Sequence, residues 1–172
     1  EVEPDIICIG KSLGAGFPIA AILIHDRLEG FGPLGEDVHT FSNNGIAQVA
    51  ALKQLDIIER DNLLAHVNAL GAYFAEGLYG LQKKYHCIGD IRQVGLHVGI
   101  EFVEDPVTKI PDMVFAQTVK HIAQAMGLIL GEAGYRMNVL KIKPPFIMTF
   151  GEADEVLAIL EAAVQTALQK KQ

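Results

Sequence analysis

Hydrophobic residues change their spacing along the chain, and each spacing predicts a different element. Residues 6–9 and 19–24 are continuous apolar runs rich in β-branched side chains, which is typical of short strands covered on both faces. Residues 10–18, with the sequence GKSLGAGFP, separate the two runs and predict a glycine-rich loop. This loop is the first candidate site, because α/β proteins keep much of their chemistry in loops at strand ends.

From Asn44 onward the apolar spacing becomes helical. One helix is predicted from a stripe that consists of Ile46, Val49, Ala50, Leu55 and Ile58. A second helix, over residues 62–85, is predicted from Leu63, Val67, Leu70, Phe74, Leu78 and Leu81. A helix of this length is a natural bridge, so we expect a boundary near residue 70 between two domains, residues 1–70 and 71–172.

The second domain is expected to be a compact α+β unit. Strands are predicted at residues 88–94, 96–103, 128–130 and 139–142. Asp112 is expected to cap the next helix, whose buried face consists of Phe115, Val119, Ile122 and Met126. Residues 149–152 (TFGE) form a capping box for the last helix, whose inward positions are Leu157, Leu160, Val164 and Leu168.

The composition excludes several classes of protein. Of the 172 residues, 50% are hydrophobic and 20% are charged, which excludes disorder and low complexity. The net charge of -7 argues against a nucleic-acid or anionic-lipid partner. The longest apolar run, residues 19–24, is too short to span a bilayer, and the two distant cysteines fit a reducing compartment. We therefore expect a cytoplasmic protein with no membrane partner.

Lys11 is the first candidate for chemistry. A lysine at the end of an apolar strand, after Gly10 and before a flexible loop, is sterically open and partly desolvated, and desolvation makes an amine more nucleophilic. The alternative is an ordinary surface lysine in a turn. A Walker phosphate loop is excluded because Asp5 stands where that pattern needs glycine, and a dinucleotide-binding loop is excluded because its third glycine is missing.

Two other segments could bind an anion. Residues 39–44 (HTFSNN) precede a helix, whose N-terminus favours phosphate, although a plain helix cap is the alternative. Lys141 and Lys143 alternate onto one face of a short strand, where they could bind a carboxylate or phosphate or simply be solvated. The histidines show no metal-ligand spacing, so no metal site is expected, and Arg92 and Glu101 are interpreted as ion-pairing residues.

These segments, in this order, resemble the class III aminotransferases, which are pyridoxal-phosphate enzymes of fold type I. The resemblance covers essentially the whole chain. Residues 4–18 (PDIICIGKSLGAGFP) are similar to the family's specific strand-plus-lysine signature, residues 40–44 (TFSNN) to its threonine segment, and residues 88–101 to the start of its small domain. The resemblance implies an α/β fold in which residues 1–70 end the large-domain sheet and residues 71–172 form the C-terminal small domain.

The resemblance also implies roles for three residues. Lys11 matches the lysine that binds pyridoxal phosphate covalently and then moves a proton as the base. Thr40 matches the threonine that reaches the cofactor phosphate of the neighbouring subunit, which implies a homodimer. Lys141 falls where many members have the arginine that binds the substrate α-carboxylate. The implied reaction moves an amino group from an amine or amino acid to a keto acid.

The chain departs from the family pattern at Gly45, Gln93 and Lys141, where proline, glycine and arginine are usual. Lysine offers a point charge where arginine offers a bidentate fork, so looser carboxylate recognition is expected. Residues 139–145 (VLKIKPP) look most like the alanine–glyoxylate-like branch, which includes phospho-lyases acting on phosphorylated amines.

Three interpretations therefore stay open: an aminotransferase, which leads, a phospho-lyase, and a non-catalytic fragment. In the family, the residues that hold the cofactor ring lie upstream of the lysine, and this chain begins only ten residues before Lys11. We therefore expect weak cofactor binding and little turnover for the 172 residues alone.

Overall fold

The computed structural model describes residues 2–29, 40–42 and 44–171. In chain order these residues form β1 (Ile6–Ile9), a 3₁₀ turn (Lys11–Gly14), β2 (Ala21–Ile24), α1 (Gly45–Arg60), α2 (Leu63–Lys84), β3 (Ile88–Val94), β4 (His97–Phe102), α3 (Met113–Ala125), β5 (Gly131–Ala133), β6 (Val139–Ile142) and α4 (Phe150–Lys171). The chain divides into two compact units, residues 1–62 and 63–172, and the expected boundary near residue 70 falls inside α2. None of the helices in the described ranges is long and apolar enough to cross a membrane.

The first unit contains a two-stranded antiparallel sheet, β1 and β2, and one helix. Asn44 caps α1, because its side chain accepts a hydrogen bond from the backbone N–H of Ala47 at 3.3 Å. The helix buries Ala47 and Ala51 and packs against the 3₁₀ turn. A capped helix therefore supports the turn that carries Lys11.

The expectation that the first two strands are covered on both faces is wrong for the described residues. Ile6, Ile22 and Leu23 are 53%, 52% and 52% exposed. Ile46 and Val49, which belong to the predicted stripe of α1, are exposed as well. A sheet buries both faces only between two covering layers, and the described part of this unit offers one helix and one turn.

The second unit is a four-stranded antiparallel sheet with helices on one face. The strand order is β3-β4-β6-β5. Val98 and Ile100 of β4 pair with Ile142 and Leu140 of β6, and all four side chains are buried. Helices α2 and α3 pack on the sheet, and α4 packs against both helices. The residues that alternate with the buried ones lie on the opposite, open face of the sheet.

The core of the second unit follows the predicted stripes. The buried face of α2 consists of Val67, Leu70, Phe74, Leu78 and Leu81, as predicted. Phe115 and Val119 of α3 are also buried, with Asp112 as the N-cap that accepts a hydrogen bond from Phe115 at 2.9 Å. Met126 is exposed, contrary to the prediction, because it is the C-cap of α3, at the point where the helix ends.

One predicted strand is displaced along the chain. Residues 128–130 are predicted as a strand, but β5 begins at Gly131. Gly127 has φ of +94°, and the N–H of Leu128 donates to the carbonyl of Ala123 at 2.9 Å, so these residues still terminate α3. Leu130 is buried in the core although it is not in a strand, so its apolar side chain indicates burial and not strand pairing.

The predicted capping box is present at the start of α4. The backbone N–H of Thr149 donates to the carboxylate of Glu152 at 2.7 Å, and the N–H of Glu152 donates to the Thr149 hydroxyl at 3.2 Å. The Thr149 hydroxyl also donates to the same carboxylate at 2.9 Å. These hydrogen bonds, the backbone one foremost, hold the pKa of Glu152 below its ordinary value of 4.5.

Replacing Glu152 by glutamine is expected to destabilise the second unit only where the native carboxylate is charged. Because the folded-state pKa lies below 4.5, the stabilisation is present above that pH and disappears as the pH falls through the folded-state value. Thermal unfolding of both proteins between about pH 7 and about pH 3 measures the effect. Glu155→Gln, in the same helix, is the control. A difference from the wild type that stays constant below pH 4.5 would contradict the prediction.

Candidate functional site

Lys11 lies directly after β1, in the 3₁₀ turn. Its backbone φ of +54° is in the left-handed region, which residues other than glycine rarely adopt. The turn is held by hydrogen bonds from Leu13 to the Gly10 carbonyl at 3.2 Å and from Ala15 to the Ser12 carbonyl at 3.0 Å. Such strained backbone is concentrated at functional sites. The exposed side chain therefore presents a primary amine from a fixed, strained turn.

The glycines after Lys11 give this loop its tight path. A Cβ atom on Gly14 would lie 2.7 Å from Cγ2 of Ile19, closer than real Cβ atoms approach, so any larger residue there would force Ile19 to shift. Gly16 has φ of +104°, which also favours glycine. The partial desolvation expected for Lys11 is not found in the described residues, because the tight turn leaves its side chain open to solvent.

Thr40 lies in the same unit as Lys11, in an exposed turn that precedes α1. The N–H of Asn44 donates to the carbonyl of Phe41 at 3.2 Å. This hydrogen bond closes the turn immediately before α1 begins. His39 and Asn43, which complete the predicted anion-binding cluster, lie outside the described residues. Because α1 packs against the 3₁₀ turn, one small unit contains both Lys11 and the helix that follows Thr40.

Lys141 lies in the second unit, on the open face of the sheet. Its side chain is half-buried and makes no hydrogen bond or ion pair within the described part of the chain. It lines a cleft of about 360 Å³ whose wall is mostly apolar and includes Val94, Ala133 and Val139. Lys143 follows the end of β6 and is exposed. Lys141 is thus the cation of this pair that a ligand in the cleft would meet.

Arg92 also lines the cleft, but its charge is already neutralised. Its guanidinium lies 3.0 Å from a carboxylate oxygen of Asp90 and 2.8 Å from one of Glu101. The interpretation of Arg92 and Glu101 as ion-pairing residues is confirmed. Because the ammonium of Lys141 has no partner among the described residues, it differs from Arg92 in being available to an anion.

Gln93 has a structural function that the sequence pattern did not indicate. Its side-chain amide donates to the carbonyl of Gly71 at 2.5 Å and to the carbonyl of Gly95 at 2.7 Å, which joins α2 to the β3–β4 turn. This bridge accounts for glutamine where the family usually has glycine. The departure from the family pattern is the one sequence signal at this position, since the partner of Gln93 in α2 is 22 residues away.

The residues present fit a cofactor that needs an amine and a phosphate-binding hydroxyl. Lys11 has an accessible primary amine, and Thr40 has an exposed hydroxyl. Cys87 is unsuited to nucleophilic chemistry, because burial raises the pKa of its thiol to about 11. Within the described ranges, no group of three or more His, Cys, Asp or Glu side chains could hold a metal ion.

Comparisons with known proteins show the family to which the chain belongs. The profile of the family Aminotransferase class-III matches residues 1–164. The chain is 38% identical over 160 residues to an acetylornithine aminotransferase of Caldanaerobacter subterraneus subsp. tengcongensis, covering 93% of the chain and 38% of that protein. It is 36% identical over 162 residues to ethanolamine-phosphate phospho-lyase homolog 1 of Caenorhabditis elegans, covering 92% of the chain and 34% of that protein. The chain thus spans about a third of the length of such curated relatives.

A solved structure shows the same fold. The crystal structure of a Bacillus anthracis aminotransferase superposes with a TM-score of 0.88 at 31% identity, covering 96% of this chain and 40% of that one. Both units of the present chain therefore have counterparts within a single larger enzyme fold.

Proposed function

The chain belongs to the class III aminotransferases, whose cofactor is pyridoxal phosphate, and from this membership we propose that it serves amino-group transfer from an amine or amino acid to a keto acid. Because it spans about a third of the length of its relatives, we assign this activity to a longer protein that contains the chain and acts as a homodimer. The 172 residues alone are expected to turn over substrate little, if at all.

The observation that carries the proposal is the conformation of Lys11. Its exposed primary amine projects from a left-handed, hydrogen-bonded turn directly after β1, and strained backbone of this kind clusters at functional sites. When bound, pyridoxal phosphate supplies the electron sink for the reaction. Lys11 would hold the cofactor through its amine, and the same amine would carry the proton to and from the substrate.

Two further residues are assigned supporting roles. Thr40, with its exposed hydroxyl, would donate a hydrogen bond to the cofactor phosphate of the neighbouring subunit. Lys141, which lines an apolar cleft and has no partner within the described ranges, would bind the acidic group of the substrate. A lysine in this role orients the anion less strictly than an arginine would, because it lacks the two parallel donors of a guanidinium.

A second candidate function is elimination of phosphate from a phosphorylated amine. It is favoured by the relationship to the phospho-lyase homolog of Caenorhabditis elegans and by the point charge of Lys141, which suits a phosphate as well as a carboxylate. Lys11 would act as the same amine and base in this reaction. Amino-group transfer remains the leading proposal, because the family profile that matches the chain is that of aminotransferases.

Covalent labelling separates the proposals from a purely structural interpretation. The longer protein is incubated with pyridoxal phosphate and reduced with borohydride, and we expect the modified peptide to contain Lys11. Lys53, an exposed lysine of the same unit, is the internal control and should stay unmodified. Phosphate release from phosphoethanolamine without a keto acid would select the lyase. Label on lysines other than Lys11 would overturn both catalytic proposals.

A further inference from the structure

The strand register surrounds Lys141 with glycine. On the open face of the sheet, Lys141 of β6 pairs with Gly99 of β4 on one side and with Gly131 of β5 on the other. Cross-strand neighbours normally flank a side chain at close distance, so a side chain between two glycines has space on both sides. The residues paired with Lys141 in the neighbouring strands therefore leave its side chain room to lie toward either strand.

Lys141 uses the space over Gly131. A Cβ atom built on Gly131 would lie 3.2 Å from Cε, 3.6 Å from Cβ and 3.9 Å from Nζ of Lys141. A Cβ atom on Gly99 would meet only Val139, at 3.4 Å, and no atom of Lys141 within 4 Å. The ammonium group therefore leans across β5, at the edge of the sheet, and leaves the space above Gly99 free.

The space above Gly99 belongs to the cleft. Gly99, Val139 and Lys141 all line it, together with Arg92, whose charge is already paired. An apolar cleft whose wall carries an ammonium with no partner in the described part of the chain suits a small ligand that carries one anionic group. If Lys141 stood upright over Gly99, its own side chain would occupy the room that such a ligand needs.

We propose that Gly131 is a positioning residue, whose missing side chain leaves room for Lys141 to lie at the rim of the cleft, so that the carboxylate or phosphate of the substrate can bind beside it. The proposal rests on the substrate-binding role assigned to Lys141 above. It predicts that a side chain at residue 131 would act on the substrate only through Lys141.

Gly131 can be replaced by alanine without strain in the backbone. Gly131 does not have a left-handed φ, so alanine fits its backbone. The nearest atom to the new methyl group would be Cε of Lys141, which lies near the end of a flexible side chain. The methyl group should therefore displace the ammonium and leave the fold intact.

The test is a double-mutant cycle in the longer, cofactor-loaded protein with Gly131→Ala, Lys141→Met and the double variant. We expect Gly131→Ala to raise the KM for the acidic substrate by about threefold to tenfold with kcat changed less than about twofold. In the Lys141→Met background, the same alanine should change KM by less than about twofold. Gly80→Ala, at an open position of α2, is the control for a methyl group remote from the cleft.

Inhibition constants identify the kind of anionic group that binds beside Lys141. Succinate and inorganic phosphate are compared as inhibitors, and the inhibition constant of at least one should rise in Gly131→Ala. A rise for succinate alone indicates a carboxylate site, and a rise for phosphate alone indicates a phosphate site.

The outcomes distinguish the substrate-binding role of Lys141 from the positioning role of Gly131. If Lys141→Met leaves KM unchanged, the substrate-binding role of Lys141 is wrong, and the role of Gly131 is lost with it. If Lys141→Met raises KM but Gly131→Ala does not, or if Gly131→Ala raises it equally without Lys141, only the positioning role is overturned. Unchanged inhibition by both anions in Gly131→Ala would also overturn it.

Discussion

Replacing Lys11 by alanine is expected to lower the proposed transaminase turnover of the longer protein by about 10²–10⁴-fold or more, because the proposal assigns one amine the roles of both cofactor anchor and base. Lys53→Ala, which removes an exposed amine from the same unit, should retain activity. Steady-state transamination with a range of amino donors measures both variants. A Lys11→Ala protein with near-normal turnover would leave Lys11 with a structural role only.

Replacing Lys11 by glycine should also abolish turnover, yet make the turn more stable than it is in the alanine variant. Glycine adopts a φ near +54° without the steric penalty of a Cβ atom, so the local gain over alanine should be about 1 kcal/mol. Amide hydrogen exchange in β1 and β2 measures this gain. Opposite signs for activity and local stability would be the signature of strain retained for function, and faster exchange in the glycine variant would contradict it.

Replacing Gly71 by alanine should destabilise the second unit by about 1–3 kcal/mol. A Cβ atom there would lie 2.6 Å from the carbonyl oxygen and 2.8 Å from the carbonyl carbon of Gly95. Neither is a movable side chain, so α2 would be pushed away from the β3–β4 turn and the bridge made by Gln93 would be strained.

Gly80→Ala is the matched control, because it places the same methyl group in the same helix, where nothing lies within 4 Å. Alanine is the better helix former, so this variant should gain about 0.5–1 kcal/mol. Urea unfolding followed by circular dichroism compares the two. Equal effects of the two substitutions would show that helix propensity, and not the close approach to Gly95, decides the outcome.

Features that depend on local sequence could be predicted. The capping box joins Thr149 to Glu152 through neighbouring backbone groups, and the buried stripe of α2 repeats every three or four residues. The family resemblance identified Lys11, but the left-handed backbone at that residue required the structure.

Features that depend on strand register could not be predicted. Lys141 was recognisable as a cation, but Gly99 and Gly131 become its neighbours only through the pairing of β6 with β4 and β5. The bridge from Gln93 to Gly71 likewise spans two elements. The exposure of the first two strands was mispredicted because an apolar run indicates a preference for burial, and burial also needs a covering layer.

The uneven distribution of buried side chains determines what an unfolding experiment on this chain reports. The second unit has a contiguous core formed by three helices and a sheet, whereas the described part of the first unit buries little more than Ala47 and Ala51. A two-stranded sheet alone is at best marginally stable in water. The cooperative heat-capacity peak should therefore arise from residues 63–172, and the melting temperature would be insensitive to changes at Lys11.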